Sequence, residues 1–209
     1  MATDLSQPVL TPKECLAAER AASRRHEYWN GSVVAMAGAS RNHVVIAGNI
    51  SRYLGLALED ANCIVLSSDM RVRPNDQTYV YPDVVVCCEE QRFEDEYEDS
   101  LETPRIIFEV LSDSTEKIDR GRRFHLYRSI PTLTDYILVS QQRAFIEHYR
   151  RESDHWTLKT AFEQSEDPGQ TSQLVFDDLG VSLALSDIYR NVNFPDPPTD
   201  EELQAELLG

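Results

Sequence analysis

The run RIIFEVLS, residues 105–112, constrains the fold more than any other part of the chain. Ile106, Ile107, Phe108, Val110 and Leu111 form an apolar stretch with Pro104 before it and a Ser/Asp/Thr cluster after it, which reads as a buried strand. Glu109 sits inside that stretch. An unpaired carboxylate there costs several kcal/mol unless a cation, a proton or hydrogen bonds compensate. The rest of the chain has to supply the compensation.

A second acid stands in a similar place. In YVYPDVVVCC, Asp83 follows Pro82 and enters the apolar strand Val84 to Cys88. Proline fixes the entry angle and lacks a donor, which suits a strand's beginning. If the two strands are neighbours, Asp83 and Glu109 project from one region of a sheet. Each then raises the other's affinity for a proton unless a cation lies between them. Carboxylates in that arrangement are the hard ligands that Mg²⁺ or Mn²⁺ prefers, and a metal so held can activate water against a phosphodiester. Taken singly, each acid also has a structural reading: Glu109 salt-bridged to a core arginine, Asp83 capping a turn.

Local signals place these strands in a single α/β domain with a mixed β-sheet, spanning residues 1–194. Thr11, Pro12 and Glu14 open a helix over about 11–25. HEYWNGSVVAMAG reads as a hairpin turning at Asn30-Gly31. Val45, Ile46, Ile50, Tyr53, Leu54 and Leu58 are spaced as a core-facing helix. CIVLSSDMRVRP, YVYPDVVVCC and RIIFEVLS follow as strand segments, then a helix over about 116–129. The strand segments DYILVS, AFIEHYR and HWTLKTAF come next, and a last helix lies near 185–190. Residues 89–102 carry eight carboxylates against Arg92 and read as a solvated loop or short helix. The acidic, proline-containing tail, 195–209, reads as a loosely packed extension.

The formal net charge of -16 works against nucleic-acid binding, where phosphate contacts supply much of the affinity, although a local basic groove can override the sum. No apolar stretch reaches the roughly 20 residues of a membrane span, and the first residues lack the features of a signal peptide. Cys15, Cys63, Cys87 and Cys88 show no CxxC spacing, so a reduced, cytoplasmic protein with structural thiols is expected.

YPDVVV, then FEVLSDST, then DRGRRFHLYRSIPTLTDYILVS, in that order, resemble the Uma-two family of restriction-endonuclease-like proteins, within the PD-(D/E)XK nuclease superfamily. The resemblance runs from about Glu27 to the helix near Tyr189. It implies a restriction-endonuclease-like core, a mixed sheet flanked by helices with extra antiparallel strands. It implies Asp83 and Glu109 as metal-binding acids, with the Val110 carbonyl a further ligand to Mg²⁺ or Mn²⁺. Glu27 matches an acid that supports the metal in this superfamily, or else stabilises the nearby turn. His43 matches a histidine at the start of the second helix, which contacts phosphate or a neighbouring acid, or makes a local hydrogen bond. DNA is the implied substrate, and a homodimer is expected because such folds commonly cut both strands.

The pattern departs from the superfamily at one position. Two residues after the second acid, where a lysine is usual, stands Leu111. The family recovers that lysine from the following helix, and here DRGRRF places Arg123 there. Arginine keeps its charge at any accessible pH, so Arg123 can stabilise phosphorane charge but cannot act as a general base. It can equally neutralise Glu109 in an inert salt bridge. The same helix carries Lys117, Arg120, Arg122 and Arg128, capped by SDST, and Arg71 and Arg73 on an earlier strand could extend a phosphate-binding groove. Three functions compete: a metal-dependent endonuclease-like phosphodiesterase, a catalytically weakened module of the same fold that binds DNA or protein, and a metal-dependent hydrolase of a smaller phosphate ester.

Overall fold

A computed structural model describes residues 10–88, 90–163 and 172–195, so the tail beyond Pro195 lies outside the described residues. Helix α1 (Pro12–Ala21) starts at Thr11, whose hydroxyl accepts from the Glu14 N–H while Glu14 accepts from the Thr11 N–H. Strands β1 (His26–Trp29) and β2 (Ser32–Ala35) form the expected hairpin, with φ of 46° at Asn30 and 92° at Gly31. Helix α2 (Arg41–Ala57) is capped by the Ser40 side chain and buries Ile46, Ile50 and Leu54.

The next two sequence segments each divide between sheets. CIVLSSDMRVRP becomes β3 (Cys63–Ser67) and β4 (Arg71–Asn75); YVYPDVVVCC becomes β5 (Thr78–Val80) and β6 (Val84–Cys88). After β7 (Ser100–Leu101) comes β8 (Ile106–Leu111). Then follow α3 (Glu116–Ile118), a π-helical turn (Asp119–Arg123) and α4 (Phe124–Tyr127). The chain continues through β9 (Asp135–Ser140), β10 (Phe145–Glu152), β11 (His155–Glu163), β12 (Gln173–Phe176), β13 (Val181–Ala184) and α5 (Leu185–Ile188).

The single mixed sheet expected is thus two larger sheets and a ribbon. One has the order β2-β1-β5-β4-β7, the other β11-β10-β9-β8-β6-β3, and β12 pairs with β13. Both larger sheets are mixed: β4–β7 and β8–β9 are parallel, the remaining pairs antiparallel. Ile106, Phe108 and Val110 face a core shared with α2, α5 and the ribbon. Ile107 and Leu111 face the opposite way, into a core shared with Trp29, Val72, Val80 and Tyr127. Alternation along β8 puts Glu109 on this second face, between the two sheets. On the outer face of the five-stranded sheet, Tyr28 and Tyr79 pack against Cys15 and Leu16 of α1.

Four expectations need correction. Cys63 and Cys88 are joined by a disulfide, because the β3–β6 register sets them directly opposite; Cys15 and Cys87 are free and buried. Residues 89–102 contain no helix among those described; Phe93 bridges Leu101 and β7 joins the five-stranded sheet. The helix after β8 has no side-chain cap at Thr115, and it passes through a π-turn. The β12–β13 ribbon was not anticipated. Among the described residues, no helix is long and apolar enough to cross a membrane.

Candidate active site

The antiparallel register of β6 and β8 pairs Val84 with Phe108. One residue further along both strands, the same register sets Asp83 beside Glu109. There the ladder ends, and the Val110 N–H donates to Asp83 Oδ2 at 2.7 Å. A residue's N–H and C=O leave the same edge of an extended strand, so the Val110 carbonyl points from the β6 edge of β8. The other Asp83 oxygen, Oδ1, lies 2.8 Å from His43 Nε2 on the first turn of α2. Burial opposes the charged imidazole, but the hydrogen bond to Asp83 and the charges of Asp83 and Asp119 outweigh it and raise the His43 pKa.

Glu109 is buried, and Tyr127 donates to its Oε1 at 2.9 Å. Arg123 Nη1 lies 3.4 Å from the same oxygen. Its guanidinium also reaches Glu27, with Nη1 2.8 Å from Oε1 and Nη2 3.2 Å from Oε2, and its Nε is 2.9 Å from Asp119 Oδ1. Glu27 accepts two further bonds, from the Trp29 indole at 3.1 Å and the Tyr81 N–H at 3.2 Å. It is a buried acid on the inner face of β1, not a surface one. Burial raises the Glu109 pKa well above the carboxylate range; Arg123 offsets part of this, and Asp83, Asp119 and Glu27 add to it. Asp119 is raised for the same leading reason, again opposed by Arg123.

Glu27, His43, Asp83, Glu109 and Arg123 therefore converge, as does the Val110 backbone. Asp119 and Tyr127 belong to the cluster and were missed. Their signal was the spacing Asp119, Arg123, Tyr127, which steps by four along one helix and lines one face. Arg71 and Arg73 do not join them. The pairing of Val72 with Val80 turns Val72 inward, so alternation points both arginines to the outer face of the five-stranded sheet. There Arg71 pairs with Asp99, and Arg73 with Asp76, Glu94 and Glu102. Arg120 is held by Glu116 and Glu147, while Lys117 is exposed.

The cluster's charges do not balance. Four carboxylates, those of Glu27, Asp83, Glu109 and Asp119, face one fixed cation, Arg123, and His43, which is charged only when protonated. Protons or a divalent cation have to offset the surplus, and all-oxygen donors suit Mg²⁺ or Mn²⁺. Among the described residues no three His, Cys, Asp or Glu are grouped to enclose an ion. The fit rests on donor chemistry and excess charge, with the Arg123 guanidinium between three of the acids.

These features define a nuclease-type α/β fold with an acid cluster between its sheets, at the end of the β6–β8 ladder. The chain belongs to the Uma2 family, whose model, described as "Putative restriction endonuclease", matches residues 12–185. It is similar to two proteins of Synechocystis sp. (strain ATCC 27184 / PCC 6803 / Kazusa). "Uncharacterized protein slr1290" is 35% identical over 188 residues, covering 90% of this chain and 95% of that one. "Uncharacterized protein sll1609" is 37% identical over 153 residues, covering 73% and 86%. The fold resembles a crystal structure described as "a putative nuclease belonging to DUF820" from Anabaena variabilis ATCC 29413. The TM-score is 0.66 at 14% identity, over 86% of this chain and 97% of that one.

Proposed function

We propose that the protein is a divalent-metal-dependent endonuclease-like phosphodiesterase acting on DNA through the acid cluster. The observation that supports this most is the surplus of carboxylates around the Asp83–Glu109 pair, where the β6–β8 ladder ends. Asp83, Glu109 and the Val110 carbonyl would hold Mg²⁺ or Mn²⁺, which when bound supplies activation of water and charge neutralisation at phosphorus. The chain's own residues do the positioning. His43 and the Val110 N–H fix the two Asp83 oxygens, and Tyr127 fixes Glu109. Glu27 and Asp119 aim the Arg123 guanidinium, which stays charged and stabilises the phosphorane without taking a proton. Lys117 reaches phosphate from solvent; Arg120 would first have to leave Glu116 and Glu147. Cleaving both strands of a duplex calls for two such sites, so a homodimer in sedimentation is the expected state.

One observation favours a second reading, an inactive descendant that binds DNA or protein. Arg123 contacts three carboxylates at once, which is also the geometry of a structural ion cluster. Supercoiled plasmid incubated with Mg²⁺ or Mn²⁺ separates the two. Nicking by the native protein that disappears in Asp83→Ala supports the enzyme. Nicking only in Arg123→Lys identifies a silenced site, and none in any folded variant removes the nuclease reading.

A further inference from the structure

The outer face of the five-stranded sheet carries a cleft of about 820 Å³ between α1, the segment leaving β2, and the β3–β4 turn. That is the size of a pocket for a small organic ligand. Its lining includes Arg20, Arg24, Arg25 and Arg71 against Glu19, Asp69 and Asp99, a local excess of arginine in a chain of net charge -16. The acids are already engaged. Asp99 is shared by Arg20 and Arg71, Asp69 pairs with Arg25, and Glu19 accepts from Tyr81 Oη and the His26 backbone.

Two arginines keep donors to spare. Arg71 is only 5% exposed, and its Nη1 is buried without a hydrogen-bond partner among the described residues, while Nη2 binds Asp99 at 2.8 Å. A buried guanidinium nitrogen left unsatisfied is costly, and an ordered water or a bound acceptor satisfies it. Arg24 stands at the exposed rim with no ion pair among the described residues. Gly38, also in the lining, leaves open space where a side chain would stand, so a ligand can approach the backbone there. Arginine forks match phosphate oxygens, and one anchor below with another at the rim is a built arrangement for such a group.

We propose that this cleft is a second binding site, on the opposite face of the sheet from the acid cluster, for a phosphate-bearing ligand of nucleotide size. Arg71 binds the phosphate from beneath and Arg24 from the rim. The group belongs either to a free mononucleotide or to a nucleic-acid strand, and the two sources are separable.

Calorimetry in EDTA tests this without the metal chemistry, using adenosine monophosphate, inorganic phosphate and a short thymidine oligonucleotide as probes. The full chain, Arg24→Glu, Arg71→Lys and Asp83→Asn are compared. The expected result is binding of the mononucleotide or the oligonucleotide, displaced by inorganic phosphate. It is weakened at least about tenfold in Arg24→Glu, the loss of one charge-assisted hydrogen bond, and is unchanged in Asp83→Asn. Preference for the mononucleotide identifies a free ligand, and preference for the oligonucleotide a strand. Arg24 is exposed and unpaired, so its variant folds even if Arg71→Lys does not. No binding by the native chain overturns the proposal, as does binding that Arg24→Glu leaves intact. Loss of binding in Asp83→Asn would assign the phosphate to the acid cluster instead and overturns it too.

Discussion

The inner face of the five-stranded sheet and the cleft on its outer face carry opposite electrostatics. On the inner face, Glu27 joins Asp83, Glu109 and Asp119, and one buried arginine is outnumbered. In the cleft on the outer face, four arginines line the walls against three acids. The same strands build both: Glu27 and Tyr28 are consecutive on β1, and Arg71 and Val72 on β4, yet each pair divides between the faces. Charge summed along the sequence therefore says little here about what either face binds. The inner face concentrates charge where burial amplifies it; the outer face holds charges that solvent moderates.

Removing the central cation should expose this difference most sharply. Arg123→Ala leaves Glu27, Glu109 and Asp119 without their common partner, and a loss of about 3–5 kcal/mol is expected in urea unfolding at neutral pH. A loss below 1 kcal/mol, as rough scale, would mean that protons already neutralise the cluster. Glu109→Gln is the converse. The folded-state pKa of Glu109 is raised, so its contribution is intact below the ordinary carboxylate range and is lost as pH rises through the folded value. The variant should match the native protein in acid and exceed it by about 1–3 kcal/mol in mild alkali, while losing any metal binding. Equal stabilities across that range would contradict the charge surplus.

The outer face should respond more weakly. Asp99 has its pKa lowered first by the hydrogen bond from Arg20, then by the charge of Arg71, with burial opposing. Its stabilisation is present above the ordinary carboxylate range and fades as pH falls through the lowered folded value. Its side chain is about one-third exposed at 32%, so Asp99→Asn should cost only about 0.5–1 kcal/mol at neutral pH and nothing in strong acid. Smaller and independent of pH above that range is the helix cap: Thr11→Ala should cost about 0.5 kcal/mol by thermal unfolding, since it removes the two exposed bonds that the Thr11 hydroxyl makes with Glu14.

Elements with local signals were legible. The Asn30-Gly31 turn, the periodicity of α2 and the apolar run of β8 each carry their cause within a few residues. The division into two sheets was not. Its breaks fall at the Asp69–Met70 turn and at Pro82–Asp83, inside segments that each read as one continuous strand region. Which sheet a strand joins depends on partners far along the chain. Arg71 and Arg73 were assigned toward Asp83 because sequence proximity stood in for that unknown. The disulfide escaped notice for a similar reason, since β3 and β6 bring together cysteines 25 residues apart. The β12–β13 ribbon did have a signal: buried Leu174 and Phe176 alternate before the turn at Gly180, and Val181 and Leu183 after it. At the site, the two strand acids were legible because apolar neighbours made them conspicuous. Asp119 lies among polar residues in DRGRRF, where its four-residue spacing from Arg123 and Tyr127 is the one signal that it turns inward.

The account turns on whether the surplus carboxylates hold a divalent cation, and Mn²⁺ titration by electron paramagnetic resonance reads this directly. The native chain is expected to quench the six-line signal of free Mn²⁺, and Asp83→Ala and Glu109→Gln, both folded, to leave it standing. Equal quenching by all three would place the ion elsewhere, and no quenching by the native chain would contradict the metal-dependent site.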